Sequence, residues 1–179
     1  MKITITGESG AGKSTAAKLL AKKLHYKHYS IGGLMRELAV QRKVDFLKLH
    51  SLRDSDPEID KYLDNRQKRL GEDEDDFVLD SRLGFLFITD SIKIYLDVDR
   101  KVGAQRVFSQ HREDEKNDTP EKTLKNIRKR ETANVKRFRK IYGVNFTDRK
   151  NYNMVIDTTR LDADRVVKRI MNFLKRSKK

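Results

Sequence analysis

Short apolar runs alternate with amphipathic stretches along the chain, and this alternation predicts strands separated by helices. The apolar or aromatic runs predict strands at residues 1–6, 27–30, 77–79, 92–96 and 152–156. Apolar residues spaced three or four apart predict helices at 13–24, 34–40, 46–52, 59–70, 100–111, 119–143 and 162–175. Strands that alternate with helices are typical of βαβ units, so we expect an α/β fold with a parallel sheet.

The predicted elements follow one another without an internal repeat or a Pro/Gly-rich linker, which indicates one domain over residues 1–179. Residues 31–70 and 111–121 are expected to be excursions from its core. Four polar residues fall at or near the carboxyl ends of predicted strands, namely Thr6, Asp80, Asp97 and Asp157. In an open α/β sheet that edge carries the ligand, so we expect the functional site there.

The amino-acid composition argues against several classes of protein. The chain has no run of 18 or more apolar residues, so we expect no membrane-spanning segment. Residues 1–6 pass directly into a strand-like alternation, so we expect no signal peptide. The sequence contains no cysteine, which excludes disulfides and thiolate metal sites and fits a cytoplasmic protein.

The charge is strongly basic and unevenly distributed. Lys+Arg is 41 and Asp+Glu is 27, a formal net charge of +14, which suggests an anionic partner. Residues 1–99 carry 17 basic and 17 acidic side chains, so the whole excess lies in 100–179. It is concentrated in 122–140, with nine basic residues and one acidic, and in 165–179, with seven basic and none acidic. The second block has an apolar face of its own and is interpreted as a solvated terminal helix with a Lys/Arg tail.

A phosphate-binding motif follows the first predicted strand. The residues Gly7-Glu8-Ser9-Gly10-Ala11-Gly12-Lys13-Ser14-Thr15 match the P-loop pattern, with a strand before them and a helix after them. The glycines let backbone N–H groups point at an anion, and the helix start adds its dipole. Lys13 is expected to reach the β- and γ-phosphates, and the Ser14 hydroxyl to bind Mg²⁺. A turn that only caps a helix would not explain Gly-Lys-Ser at this offset, so we predict binding of a nucleoside triphosphate.

A second acidic group is expected to hold the Mg²⁺ through water, and two aspartates qualify. Asp80 and Asp97 each follow an apolar predicted strand, so periodicity does not decide between them. Asp80 is followed by Ser81-Arg82, which places a cation beside it, whereas Asp97 leads into the next predicted helix. We favour Asp80, and for either residue a helix cap or a turn is the alternative.

Further segments, in a fixed order, carry a resemblance to a known family. They are Ser30-Ile31-Gly32-Gly33-Leu34-Met35-Arg36, Val78-Leu79-Asp80-Ser81-Arg82-Leu83, Ile127-Arg128-Lys129-Arg130-Glu131 with Asn134 and Arg137, and Val155-Ile156-Asp157-Thr158-Thr159. In this order and spacing the chain resembles a cytidylate kinase of the short, archaeal type over nearly its whole length. The P-loop is generic, whereas the segments around Arg36, Arg82 and Arg130 are more specific.

The resemblance implies a fold and an activity. The fold would be the three-layer P-loop NTPase fold with a five-stranded parallel sheet, a helical monophosphate-binding insert at 31–70 and a helical lid at about 111–137. The activity would be transfer of the ATP γ-phosphoryl group to CMP or dCMP.

The resemblance also implies residue roles. Ser30, Gly33, Arg36, Arg82 and Asn134 would bind the acceptor nucleotide. Arg130 and Arg137, together with Lys13 and Asp80, would act on the phosphoryl group in transfer. The ATP would be held by residues 7–15, with Asp157 and Thr158 near its adenine.

Physical chemistry supports the arginine roles. Phosphoryl transfer needs alignment and charge neutralisation, and planar guanidinium groups bind phosphate bidentately. Arg130 and Arg137 are seven residues apart, so they share one face of the predicted helix, with Asn134 between them. The alternative for each is a solvated surface arginine, but nine basic residues in 19 exceed what a solvated face needs.

Two other functions stay open at this point, a kinase for AMP or UMP and a nucleic-acid-binding P-loop protein. Ser81 stands where the family pattern has glycine, so the base preference is not fixed. A kinase needs arginines around one cleft, whereas a nucleic-acid binder needs a continuous basic face. We expect a monomer whose partners are small nucleotides rather than nucleic acid or a membrane.

Overall fold

A computed structural model describes residues 1–110 and 119–176. Its sheet has five parallel strands in the order β2-β3-β1-β4-β5. The strands are β1 Lys2–Gly7, β2 Lys27–Ser30, β3 Phe77–Asp80, β4 Ile92–Asp97 and β5 Met154–Asp157. The predicted five-stranded parallel sheet is therefore confirmed, and β1, which leads into the phosphate loop, lies at its centre.

The helices alternate with these strands along the chain, as the periodicity predicts, and the last helix follows β5. They are α1 Lys13–Leu24, α2 Ile31–Gln41, α3 Phe46–Leu52, α4 Pro57–Asp73, α5 Gly84–Phe87, α6 Arg100–Ser109, α7 Pro120–Tyr142 and α8 Ala163–Arg176. A short 3₁₀ helix, Arg149–Asn151, precedes β5. The sequence did not predict α5, because four residues are too few to display a helical period.

The core of the sheet explains the apolar runs in the sequence. Ile3, Ile5 and Ile94 have no exposed surface, and one face of the sheet is covered by α1 and α8. The apolar stripe of α8 that faces this core consists of Val166, Val167, Ile170 and Leu174. Its basic residues from Arg165 to Arg176 are exposed, and residues 177–179 of the predicted Lys/Arg tail lie outside the described residues.

Helices α2, α3 and α4 form an insert between β2 and β3, and this insert has a small apolar core of its own. That core consists of Met35, Ala39, Phe46, Leu49, Ile59 and Leu63. Each helix starts at a capping side chain: Ser30 accepts a hydrogen bond from the Gly33 amide, Asp45 from Lys48, and Asp56 from Glu58. The caps fix the turns between these short helices.

The predicted lid, at about 111–137, is described only in part. Residues 111–118 lie outside the described residues, and residues 120–137 form most of α7. Thr119 caps α7 through the Lys122 amide, and Pro120 occupies its first turn, as expected for a helix start. Across residues 1–110 and 119–176, no helix combines the length and apolar character that crossing a membrane requires.

Candidate active site

The phosphate loop is held tightly against β4 and α6. Gly7, Gly10 and Gly12 have φ of 149°, 81° and 81°, a region that side chains other than glycine rarely adopt. A Cβ on Gly7 would collide with the Leu96 carbonyl oxygen, and one on Gly10 with the Gly103 carbonyl oxygen. The glycines of the motif therefore serve both the conformation of the loop and its close packing.

The start of α1 presents unpaired amides to this loop. The first intrahelical hydrogen bond runs from the Ala16 amide to the Gly12 carbonyl oxygen, 2.9 Å away. Within the described chain, no side chain caps the helix. The amides of Lys13, Ser14 and Thr15 precede that first bond, so they are available to an anion, and the helix dipole favours one.

Lys13 folds back over the loop. Its Nζ donates a hydrogen bond to the Glu8 carbonyl oxygen at 2.6 Å. The pKa of Lys13 is lowered to about 7, first by desolvation and then by the nearby Arg82 guanidinium, while Asp80 and Glu131 act in the opposite direction. A phosphate bound here would offset the desolvation and so favour the charged form of Lys13.

Ser9 is a meeting point of three elements. Its amide donates a hydrogen bond to Glu131 Oε1 at 3.0 Å, and Arg82 and Arg130 each place a guanidinium nitrogen 3.4 Å from its hydroxyl. Burial and the neighbouring Arg130 charge lower the pKa of Arg82 to about 10. The P-loop, the end of β3 and α7 are thereby joined around one residue.

A cavity of about 330 Å³ opens from the phosphate loop towards the insert. It is lined by Lys13 and Ser14 at one end and by Arg36, Arg82 and Arg130 along its sides. The sequence predicted these five residues in the site, and the structure brings them together.

Aromatic rings support the arginines of the cavity. The Arg36 and Arg130 guanidinium carbons lie 4.5 Å and 5.8 Å from the ring centre of Phe46, in cation–π range. Arg82 lies in the same way over Phe146, at 5.9 Å. Contact with a ring uses the face of a guanidinium, whereas hydrogen bonds to a phosphate use its N–H edge.

Of the two candidate acids for the metal, the structure distinguishes Asp80 from Asp97. Asp80 is 5% exposed and lines the cavity with Ser14, and its Oδ2 has no hydrogen-bond partner among the described residues. Asp97 accepts from the Val98 amide at 3.0 Å and from Arg149 at 2.6 Å. The Asp80 oxygen, which has no hydrogen bond within the described chain, lies 3.9 Å from His28 Nε2. A buried carboxylate oxygen of this kind, in a cavity that a hydroxyl also lines, fits a hydrated Mg²⁺, whereas Asp97 already accepts two hydrogen bonds.

Arg137 and Asn134 lie away from the phosphate loop, at the contact between α7 and the insert. Arg137 is 7% exposed, forms an ion pair with Asp54, and has its Nε 3.9 Å from Asp60 Oδ2. The Asn134 side-chain oxygen lies 3.5 Å from Arg53, which binds Asp60 at 2.6 Å. The structure therefore does not bring Arg137 and Asn134 together with Lys13 and Arg130.

Four other predicted residues do not line the cavity but belong to segments that support it. Ser30 and Gly33 form the capped start of α2, which carries Arg36. Thr158 is buried, and its hydroxyl donates to the Asp97 and Ala11 carbonyl oxygens at 2.8 Å and 3.2 Å. Asp157 is exposed and accepts from the Thr159 amide, and hydrogen bonds from Thr159 lower its pKa. Thr158 thus ties the loop after β5 to the phosphate loop.

Sequence reasoning missed four residues that the structure places at the site, namely Phe46, His50, Arg53 and Glu131. His50 lines the cavity, and burial together with four arginines, Arg53, Arg82, Arg130 and Arg137, lowers its pKa to about 2. The sequence does single out Glu131, because residues 122–140 contain nine basic residues and this one acid. Phe46, His50 and Arg53 carried none, since their role depends on how the insert folds over the sheet.

Comparisons with known proteins place this site in context. A family model described as the cytidylate kinase-like family matches residues 2–160. A cytidylate kinase from Methanothermobacter thermautotrophicus is 34% identical over 164 residues, covering 92% of this chain and 99% of that protein. A cytidylate kinase from Sulfolobus acidocaldarius is 34% identical over 178 residues, covering 98% and 95%. A shikimate kinase structure from Bacteroides thetaiotaomicron covers 98% of both chains with a TM-score of 0.66 at 16% identity, a likeness of fold.

Proposed function

This chain belongs to the cytidylate kinase-like family, and on that premise we propose that it transfers the γ-phosphoryl group of ATP to CMP or dCMP, giving CDP or dCDP. The observation that carries the proposal is a cavity that runs from the phosphate loop to the insert. Three arginines line it, Arg36 on α2, Arg82 in the loop after β3 and Arg130 on α7. Cations arranged around one cleft suit a small phosphate-bearing acceptor better than a polymer.

In the proposed reaction, an oxygen of the acceptor's phosphate attacks the γ-phosphorus of ATP. The bond from that phosphorus to the β–γ bridging oxygen breaks, and ADP leaves with the electron pair. The amides of Lys13, Ser14 and Thr15 would bind the β- and γ-phosphates, and Arg36 and Arg82 would hold the acceptor phosphate. Arg130 and Lys13 would neutralise the charge of the group in transfer, which needs electrostatic help more than covalent help.

Ser14 and Asp80 would hold Mg²⁺, Asp80 through water. Their shared place in the cavity supports this assignment, as does an Asp80 oxygen that has no hydrogen bond among the described residues. When bound, the ion would neutralise charge on the β- and γ-phosphate oxygens. The protein's own contribution here is a buried carboxylate and a hydroxyl at fixed positions beside the phosphate loop.

Arg137 and Asn134 would serve the acceptor site indirectly. Their contacts with Arg53, Asp54 and Asp60 support a role in holding α7 against the insert, rather than contact with the phosphoryl group. Asp157 and Thr158 would frame the adenine of ATP, since Thr158 links their loop to the phosphate loop.

The test is ADP release from ATP with Mg²⁺ in the presence of CMP, dCMP, UMP, AMP, GMP or no acceptor. We expect turnover with CMP and dCMP well above the tube without acceptor. Turnover with AMP alone, or equal ADP release in every tube, would refute the proposal, and a preference for UMP would correct the acceptor. Lys13→Ala should reduce turnover by about 100-fold or more, with the exposed Lys18→Ala as the matched control.

A further inference from the structure

Two consecutive residues of α7 meet the phosphate loop at one point. Glu131 Oε1 accepts the Ser9 amide at 3.0 Å, and an Arg130 guanidinium nitrogen lies 3.4 Å from the Ser9 hydroxyl. The helix therefore reaches the backbone and the side chain of the same loop residue. These contacts join residues that are more than 120 positions apart in the chain.

Of Arg130 and Glu131, the acid is the unusual one, because this part of α7 is strongly basic. Residues 122–140 contain nine basic residues and one acidic, and the acidic one is Glu131. Lys13, Arg82 and Arg130 also converge near Ser9, and like charges in a partly buried site repel one another. A carboxylate at this position offsets that repulsion and so favours the approach of α7 to the loop.

The Ser9 amide lies upstream of the amides that the helix start offers to an anion. Those amides belong to Lys13, Ser14 and Thr15, and they are distinct from the one that Glu131 occupies. Glu131 can therefore keep its hydrogen bond while phosphates bind at the start of α1.

We propose that Glu131 is a positioning residue, whose hydrogen bond to the Ser9 amide holds α7 on the phosphate loop and directs the neighbouring Arg130 to the phosphoryl group in transfer. The proposal rests on the proposed function, because it needs a phosphoryl group for Arg130 to act on. It assigns Glu131 no contact with the reacting atoms.

The test compares Glu131→Ala with Glu131→Gln in steady-state kinetics. Alanine removes the acceptor of the Ser9 amide, and we expect kcat to fall by about 10- to 100-fold, the effect of losing a hydrogen bond to a charged group. The KM for the acceptor should change little, because Arg36 and Arg82 are untouched. Glutamine keeps a side-chain carbonyl at the same reach but lacks the charge that offsets the neighbouring cations, so its kcat should recover only in part, to at least about threefold above that of Glu131→Ala.

Three kinetic or binding results would overturn the proposal. They are a kcat of Glu131→Ala within twofold of the unmodified protein, equal losses in the alanine and glutamine variants, and tighter ATP binding by Glu131→Ala. The last result would mean that Glu131 competes with phosphate for the loop. Glu121→Ala, at an exposed acid in the first turn of α7, is the matched control.

Hydrogen exchange at the Ser9 amide gives a readout that does not depend on activity. Glu131→Ala should accelerate this exchange at least about tenfold, and Glu131→Gln should not. Unchanged exchange in the alanine variant would overturn the proposal even if its kinetics were impaired. Failure of the unmodified protein to phosphorylate any nucleoside monophosphate would instead refute the proposed function, and the exchange result would remain separate evidence about the contact.

Discussion

Lowering the pH should destabilise this protein through His50. Its pKa is lowered to about 2 in the folded state, first by burial and then by the charges of Arg53, Arg82, Arg130 and Arg137. In the unfolded chain a histidine returns to an ordinary value near 6.5. Between these values the unfolded state binds one proton that the folded state does not, so stability falls as pH drops below about 6.5.

The expected size of this effect follows from proton linkage. One extra proton in the unfolded state changes the free energy of unfolding by about 1.4 kcal/mol per pH unit. From the unfolded pKa down to pH 5 this amounts to about 2 kcal/mol, a large share of the stability of a domain. Above pH 7 both states hold a neutral imidazole, and His50 contributes no pH dependence.

Urea unfolding at pH 5, 6 and 7 measures the slope, and His50→Gln isolates the part that belongs to this residue. The unmodified protein should lose about 2 kcal/mol more than His50→Gln between pH 7 and pH 5. His25→Asn is the control, because it removes an exposed histidine at a backbone conformation that asparagine tolerates. Equal losses in the two proteins, or a His50 C2 proton that titrates near pH 6.5 by NMR, would refute the reasoning.

Three further changes test other parts of the structure. Asp60→Asn removes the carboxylate between buried Arg53 and Arg137 and should lower the free energy of unfolding by about 3–5 kcal/mol in urea titrations, and a loss under 1 kcal/mol would contradict it. Phe46→Leu keeps an apolar side chain but removes the ring under two arginines, so the KM for the acceptor should rise several-fold while ATP affinity, measured by calorimetry, stays unchanged. Gly10→Ala should weaken ATP binding in calorimetry at least tenfold, and full affinity would show that the loop adapts.

The phosphate loop and the positions of the strands along the chain were open to prediction because each depends on local pattern. Buried parallel strands need continuous apolar runs, so the predicted segments 77–79 and 92–96 match β3 and β4 to within a residue. The P-loop could be predicted for a similar reason: its glycines meet backbone requirements at Gly7, Gly10 and Gly12. The capped start of α4 at Asp56 and Pro57 was also readable, since both residues act within one turn.

The sequence did not predict that different parts of α7 contact different parts of the protein. Arg130 and Arg137 share a face, as seven residues make about two turns, but they are also about 10 Å apart along the axis. At one level that face meets the phosphate loop at Ser9, and two turns later it meets Asp54 and Asp60 of the insert. Periodicity predicts which side of a helix a residue occupies, and only the tertiary fold decides what stands opposite at each level.

The exposure of the basic side chains shows which of them interact with other parts of the protein and which only face solvent, within the net charge of +14. Of the nine basic residues in 122–140, seven are exposed, and only Arg130 and Arg137 are drawn out of solvent. Exposed cations are screened and cost little, whereas a withdrawn guanidinium loses hydration and persists only where an anion compensates it. Arg137 has its anions in the protein, at Asp54 and Asp60, so its charge is used in joining α7 to the insert. Arg130 borders the cavity and meets Ser9 together with Glu131, so a phosphate that enters the cavity meets a guanidinium that α7 already holds in place.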